Sequence, residues 1–137
     1  MPINHYSELE AFQLAHDFKL EVYRVVNSSE QPVDFKYRSQ VFDAAAGIES
    51  NIAEGFTRKM PGESAQFYRY ALAGLAESCT RLRDGVDRGH FSNEACAKAL
   101  QTGKRCADVT EGLKKSAERH RLRLRAQRRA PAPNGQR

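Results

Sequence analysis

The chain has 137 residues, the size of one domain, and 40% of them are hydrophobic, which is enough for a single core. No apolar run approaches the roughly 20 residues that span a bilayer, and the N-terminus lacks the features of a signal peptide, so we expect a cytoplasmic protein without a membrane span. The net charge of +5 is unevenly distributed. Residues 114–137 contain nine Lys or Arg and one acid, whereas residues 1–113 contain 13 basic and 16 acidic residues. A mildly acidic body with a basic tail of net charge +8 indicates a polyanionic partner.

Two helices are predicted in the first 60 residues. Ser7 and Glu10 have the spacing of a capping box that opens the first helix, and this helix should end near residues 27–29, because Pro32 disfavours its continuation. The second helix is predicted to begin at residues 35–37 and to end before Pro61-Gly62. Apolar residues recur every three or four positions in both helices, at Ala11, Ala15, Phe18, Val22 and Val25 and at Val41, Ala45, Ile48, Ile52 and Phe56.

Two more helices follow, and the third has the clearest pattern in the chain. Its apolar positions alternate between spacings of four and three, as in a coiled-coil seam: Tyr68, Leu72, Leu75, Cys79, Leu82 and Val86. Gly89 is its predicted C-terminal stop, and Phe91 should pack into the core beside the turn. Ser92 is the predicted N-cap of the fourth helix. The fourth helix has a face of mostly small residues, which favours close packing: Cys96, Ala99, Gly103, Cys106, Thr110, Leu113 and Ala117.

The predicted fold is all-α: an antiparallel up-down-up-down four-helix bundle of residues 1–117, followed by a basic tail, residues 118–137. Repulsion among the arginines of the tail opposes helix formation. The Pro- and Gly-containing stretch 130–135 would end any helix that did form. The tail is therefore predicted to be disordered.

A polar stripe runs beside the apolar face of the second helix, at Gln40, Asp43, Gly47, Asn51 and Glu54. One interpretation is a site in which carboxylates carry out acid–base chemistry. The other is structural: hydrogen bonds that fix helix register within the bundle or between subunits. The sequence pairs these carboxylates with no nucleophile, metal ligand or histidine base, which favours the structural interpretation and a non-enzymatic protein.

No cofactor or metal site is predicted. The paired Glu-x-x-His motifs of di-iron bundles are absent from the sequence. Cys79, Cys96 and Cys106 lack C-x-x-C spacing and lie among small residues in helical sequence. They are predicted to be reduced, buried thiols and not zinc ligands.

The strongest functional candidate is the basic segment at the C-terminus. Arginine binds phosphates with two parallel hydrogen bonds, and lysine binds them as a point charge. No aromatic residue is interleaved, which argues against sequence-specific reading of single strands. The segment would bind RNA, DNA or another polyanion, act only as a solubilising tail, or contact an acidic membrane surface. The candidate binding residues are Lys114, Lys115, Arg119, Arg121, Arg123, Arg125, Arg128 and Arg129.

One set of spaced residues resembles a known family. The set comprises Tyr37-x-x-Gln40, Ala44-Ala45-x-x-Ile48, Asn51-Ile52-Ala53-Glu54-Gly55, Arg58, Glu63, Phe67 and Ala71-Leu72-x-x-Leu75-Ala76-Glu77. Over roughly residues 8–115, the chain resembles the bacterial four helix bundle protein family, first noticed as products of intervening sequences in 23S ribosomal RNA genes.

The resemblance implies a homopentameric helical scaffold. It also implies a distant relation to the accessory variability protein of diversity-generating retroelements, which binds a reverse transcriptase and nucleic acid. Binding of RNA or DNA, or an adaptor role for such a protein partner, is therefore expected. Asp43 stands where the family usually has Arg, which weakens the case for nucleic-acid binding by the bundle body. The motif residues expected to serve packing or interfaces are Tyr37, Gln40, Asn51, Glu54, Gly55, Arg58 and Glu77.

Overall fold

The computed structural model describes residues 2–131, and within them four α-helices follow a short 3₁₀ helix. The elements are the 3₁₀ helix Tyr6–Glu8, α1 Glu10–Asn27, α2 Phe35–Thr57, α3 Pro61–Asp87 and α4 Asn93–Arg129. No strand occurs in this part of the chain. Each helix packs against the next, and α4 packs back against α1. This arrangement confirms the predicted all-α, antiparallel four-helix bundle.

The core is built from the predicted apolar faces, with one difference in α3. Phe18, Ile48 and Ile52 are fully buried, as the stripes of α1 and α2 predicted. In α3, half of the predicted seam is only partly buried. Ala71, Ser78 and Gly85 are buried in addition to Tyr68, Leu75 and Leu82. Because α3 lies between α2 and α4, it buries a broader face than a two-helix seam would require.

The start of the bundle differs from the prediction. The capping box is formed by His5 and Glu8 around the 3₁₀ helix, and not by Ser7 and Glu10. Ser7 is inside that 3₁₀ helix, where its backbone N–H donates to His5 Nδ1 over 3.2 Å. The N-cap of α1 is Leu9, which has no side-chain hydrogen bond in that role.

The turn between α3 and α4 agrees with the sequence. Gly89 has φ of +81°, a left-handed conformation that glycine adopts without steric cost. The backbone N–H of His90 donates to the carbonyl of Gly85 over 2.9 Å, which completes a Schellman-type helix end. Ser92 Oγ accepts a hydrogen bond from the N–H of Ala95 over 3.1 Å, so the predicted N-cap of α4 is confirmed. Phe91 packs against the core.

The prediction that disorder begins at residue 118 is wrong for residues 118–129, which continue α4. Arginine has good helix propensity, and cations near a helix C-terminus interact favourably with the helix dipole. Glu118 Oε1 accepts a hydrogen bond from Arg69 Nη2 of α3 over 3.0 Å, and this exposed ion pair joins the first residue of the segment to the bundle. The helix ends at Ala130, which has an extended backbone and precedes Pro131. The rest of the predicted disordered tail, residues 132–137, lies outside the described residues.

Candidate nucleic-acid interface

The basic residues of α4 lie at one end of the bundle, beside the loop between α2 and α3. We call this region, formed by the loop 58–60 and residues 114–129, the basic end. Two contacts give the register of the antiparallel helices α3 and α4: a Cβ on Gly103 would lie 3.2 Å from Sγ of Cys79, and, 17 or 18 residues away along each helix, a Cβ on Gly62 would lie 3.2 Å from Nε of Arg121. Residue 121 is therefore level with the start of α3. Eight further residues of α4, 122–129, extend about 12 Å beyond that level, and we call them the α4 overhang.

A concavity of about 470 Å³ lies between the first turns of α3 and the α4 overhang. Three arginines spaced four and three residues apart, Arg121, Arg125 and Arg128, line it from α4. Residues at these spacings share one face of a helix. The remaining lining residues are Met60, Pro61, Gly62, Glu63, Gln66 and Leu124. The concavity therefore has one acidic residue and three guanidinium groups along its wall.

The arginines of this segment have no carboxylate partner within residues 2–131. None of Arg119, Arg121, Arg123, Arg125, Arg128 and Arg129 forms a salt bridge in that part of the chain. All six are exposed. Glu118, the acid of the basic tail, is already paired with Arg69. The excess positive charge at this end is thus available to an external anion.

The two lysines at the start of the predicted set differ from each other. Lys114 Nζ lies 2.8 Å from Oε1 of Glu111 and is only 21% exposed, so an acid of the same helix already partners its charge. That hydrogen bond holds the pKa of the Glu111 carboxyl below its usual value. Lys115 is exposed. The candidate set is therefore better described as Lys115 and the six arginines. Lys114 instead forms a salt bridge within α4.

The structure adds residues that the basic run in the sequence did not include. Arg58 and Lys59, from the loop after α2, line a second concavity of about 280 Å³ together with Ser116 and His120 of α4. Only the folded topology places this loop beside the end of α4, since more than 50 residues separate them in sequence. The local signal available was the pair of basic residues Arg58-Lys59, two residues before Pro61.

The family-motif residues at the N-terminal half of α2 form a structural network. Tyr37 is 2% exposed, and its hydroxyl donates to the carbonyl of Arg81 over 2.6 Å. Gln40 Oε1 accepts a hydrogen bond from Arg81 Nη1 over 3.0 Å. Arg81 Nε donates to Glu77 Oε1 over 3.2 Å. The contacts of Tyr37 and Gln40 join α2 to α3, and the pair within α3 orients the Arg81 side chain, in line with the structural interpretation of the polar stripe.

The motif residues at the other end of α2 also serve packing. A Cβ on Gly55 would lie 2.6 Å from the Tyr68 ring, so the absence of a side chain allows close contact with α3. Glu54 pairs with Arg58 over 2.9 Å. The Arg58 guanidinium lies over the Phe67 ring at 4.6 Å from its centre. Asn51 is half-buried, and its side chain makes no hydrogen bond within residues 2–131, so its predicted interface role stays a prediction.

Among the described residues, no group of three or more His, Cys, Asp or Glu side chains could hold a metal ion. Cys96 and Cys106 are buried free thiols, as predicted, whereas Cys79 is only half-buried. Burial raises the pKa of the Cys106 thiol to about 11, which keeps it protonated and unreactive. None of the helices in residues 2–131 is long and apolar enough to cross a membrane.

Comparison with known proteins agrees with the motif residues and the fold. The model of the 23S rRNA-intervening sequence protein family matches residues 7–112. The chain belongs to this family. A search of curated proteins found no match. The family match ends before Lys114, so the basic segment of α4 is outside the region that defines membership in the 23S rRNA-intervening sequence protein family.

Proposed function

We propose that this protein is a non-enzymatic helical scaffold that binds RNA or DNA through its basic end. The observation that supports the proposal is the set of six exposed arginines in residues 119–129, which have no salt bridge within the described chain. Guanidinium groups bind phosphate with two hydrogen bonds. Release of condensed counterions by several such contacts supplies most of the free energy of non-specific nucleic-acid binding.

Lys59, which forms no salt bridge within residues 2–131, widens the proposed surface from one helix to two elements, and its neighbour Arg58 is already paired with Glu54. They lie on the opposite wall of a concavity that also includes His120. A surface built from two elements has a defined shape, which a freely solvated tail lacks. The bundle body, in contrast, has salt bridges along its sides and the acidic Asp43 in its motif helix.

The proposal is tested by fluorescence anisotropy with labelled RNA and DNA oligonucleotides at several salt concentrations. If about five phosphates of a single strand are contacted, log K should fall with log salt with a slope of roughly −3.5. Deletion of residues 118–137 should abolish binding. The matched control is the double variant Lys36→Gln, Arg83→Gln. It replaces two exposed basic residues that form no salt bridge within residues 2–131, and its affinity should be close to that of the parent protein.

Equal affinities of the full-length and truncated proteins would overturn the proposal. Such a result would leave the basic segment with only a solubilising role. Retention on vesicles that contain acidic lipid, with no binding to nucleic acid, would instead support the membrane-surface alternative.

We further propose that the scaffold is a homo-oligomer, with the pentamer as the form that the family resemblance implies. An apolar groove of about 610 Å³ between α3 and α4 supports association, because Leu72, Leu75, Leu100 and Ala107 line it. Light scattering should give a mass of about five times the 15.4 kDa of one chain. A mass near 15.4 kDa would contradict the oligomer.

The second candidate function is that of an adaptor for a protein partner, such as a reverse transcriptase or another nucleic-acid enzyme. The same apolar groove favours this candidate, because a partner helix could also cover it. The adaptor predicts a pull-down partner that remains bound after nuclease treatment and at high salt. Recovery of nucleic acid alone would count against it.

A further inference from the structure

We infer that the α4 overhang enters the major groove of B-form duplex DNA and lies between its two phosphate backbones. This inference rests on the proposed function and deepens it, because it names the form of nucleic acid that the basic end fits. It depends on the shape of the overhang and on the distribution of its arginines around the helix.

The shape of the overhang matches the groove. Residues 122–129 continue α4 about 12 Å past the start of α3, and all of them except the half-buried Leu124 are exposed. An α-helix with its side chains is about 10–12 Å in diameter, and the major groove of B-form DNA is about 12 Å wide. Because the overhang continues past the start of α3, it is the part of α4 that can reach into such a groove.

Five of the six arginines in residues 119–129 lie on two opposite sides of α4, and two of these five, Arg119 and Arg121, are in the turn before the overhang. Arg121, Arg125 and Arg128 line the concavity beside α3. Arg119 and Arg123 are each two residues away from Arg121, which is a rotation of about 200° in a helix with 3.6 residues per turn. Neither of them lines that concavity. Both sets of arginines can bind phosphate at the same time only when phosphates lie on both sides of the helix.

Duplex DNA supplies that arrangement, and the alternatives do not. A single strand has one backbone and would contact one side of the helix. The major groove of an A-form RNA duplex is too deep and narrow to be read by side chains. In B-form DNA, one backbone would pass through the concavity of about 470 Å³, where three arginines outweigh Glu63. The second backbone would contact Arg119 and Arg123.

The test compares full-length protein on three labelled probes of one sequence: a 20-base-pair DNA duplex, the corresponding RNA duplex and one DNA strand. We expect the DNA duplex to bind at least about tenfold more tightly than either of the others at equal salt. Two variants then separate the sides of the helix. Arg121→Gln, Arg125→Gln and Arg128→Gln remove the inner set, and Arg119→Gln with Arg123→Gln removes the outer pair.

Each lost phosphate contact should reduce the salt slope on duplex DNA by about 0.9. The inner variant should therefore reduce the slope by about 2.7 and the outer variant by about 1.8, while the Lys36→Gln, Arg83→Gln control leaves it unchanged. Circular dichroism confirms that each variant is folded. Equal binding of RNA duplex or single strand, or an outer variant that binds duplex DNA like the parent, would overturn groove insertion. Either result leaves the proposed function intact, whereas binding by the protein that lacks residues 118–137 would refute the proposed function itself.

Discussion

Gly85 allows the side chains of Tyr37 and Phe91 to pack directly against the α3 backbone, close to the turn to α4. A Cβ on this residue would overlap both the Phe91 ring and the Tyr37 hydroxyl. The same hydroxyl donates to the carbonyl of Arg81. Burial raises the pKa of Tyr37 to about 12, so its hydroxyl keeps its proton across the physiological range. One glycine thus sets the contact between α2, α3 and the turn.

Gly85→Ala should destabilise the fold by about 1–3 kcal/mol, because the buried Tyr37 and Phe91 must both move. Gly112→Ala is the matched control, since a Cβ there meets no atom within 4 Å. This exposed helical position should gain about 0.5–1 kcal/mol from the higher helix propensity of alanine. Urea denaturation measures both changes. Equal stabilities of the two variants would show that the Gly85 contact is not required.

At the scale of the helices, Glu49 connects α1 to α2. Its carboxylate pairs with Lys19 and accepts a hydrogen bond from His16 Nδ1 over 2.9 Å. The side chain is 17% exposed. Burial raises the pKa of Glu49, but the hydrogen bonds from Lys19 and His16 outweigh it, so the pKa lies below the ordinary value of 4.5. The ionised form therefore stabilises the contact between these helices.

Glu49→Gln should cost about 1 kcal/mol at pH 7. Because the folded pKa is depressed, the contribution of the carboxylate is present above pH 4.5 and is lost as the pH falls through the folded pKa. The difference between parent and variant should therefore be smaller at pH 3 than at pH 7. Urea denaturation at both pH values measures it. Glu10→Gln, which removes an exposed pair with Arg105, should have little effect at either pH. A Glu49→Gln difference as large at pH 3 as at pH 7 would contradict the electrostatic origin.

The helices differ in how well the sequence predicted them. Turn residues with one strong local role, such as Gly89 and Ser92, were predicted correctly, because their backbone conformation depends on neighbours in sequence. The continuation of α4 past residue 117 was not predicted because repulsion among the arginines was given more weight than their good helix propensity, and because Arg69 and Glu118, which form an ion pair, are 49 residues apart. The concavity at the basic end was missed for the same reason: its two walls come from helices that only the fold brings together.

For the molecule as a whole, the excess positive charge and the buried core lie in different parts of the chain. Residues 1–117 contain 15 basic and 16 acidic residues, and residues 118–137 contain seven basic residues and one acid. Every residue of the buried core lies before residue 118. Removal of residues 118–137 deletes the exposed ion pair of Arg69 and the partial burial of Leu124, each of which contributes little to stability.

A protein that ends at residue 117 should therefore fold on its own, with helical circular dichroism and a Tm within a few degrees of the parent. Its net charge changes from +5 to −1, so it should elute from a heparin column with the unbound protein, while the parent requires salt to elute. The Lys36→Gln, Arg83→Gln variant of the full chain is the charge control and should still be retained. A large loss of Tm on truncation would show that the basic segment is part of the folding unit. Retention of the truncated protein on heparin would instead place the polyanion-binding surface on the bundle body. The free energy of such binding depends on the number of contacts between basic side chains and anionic groups, and only those of the body remain after truncation.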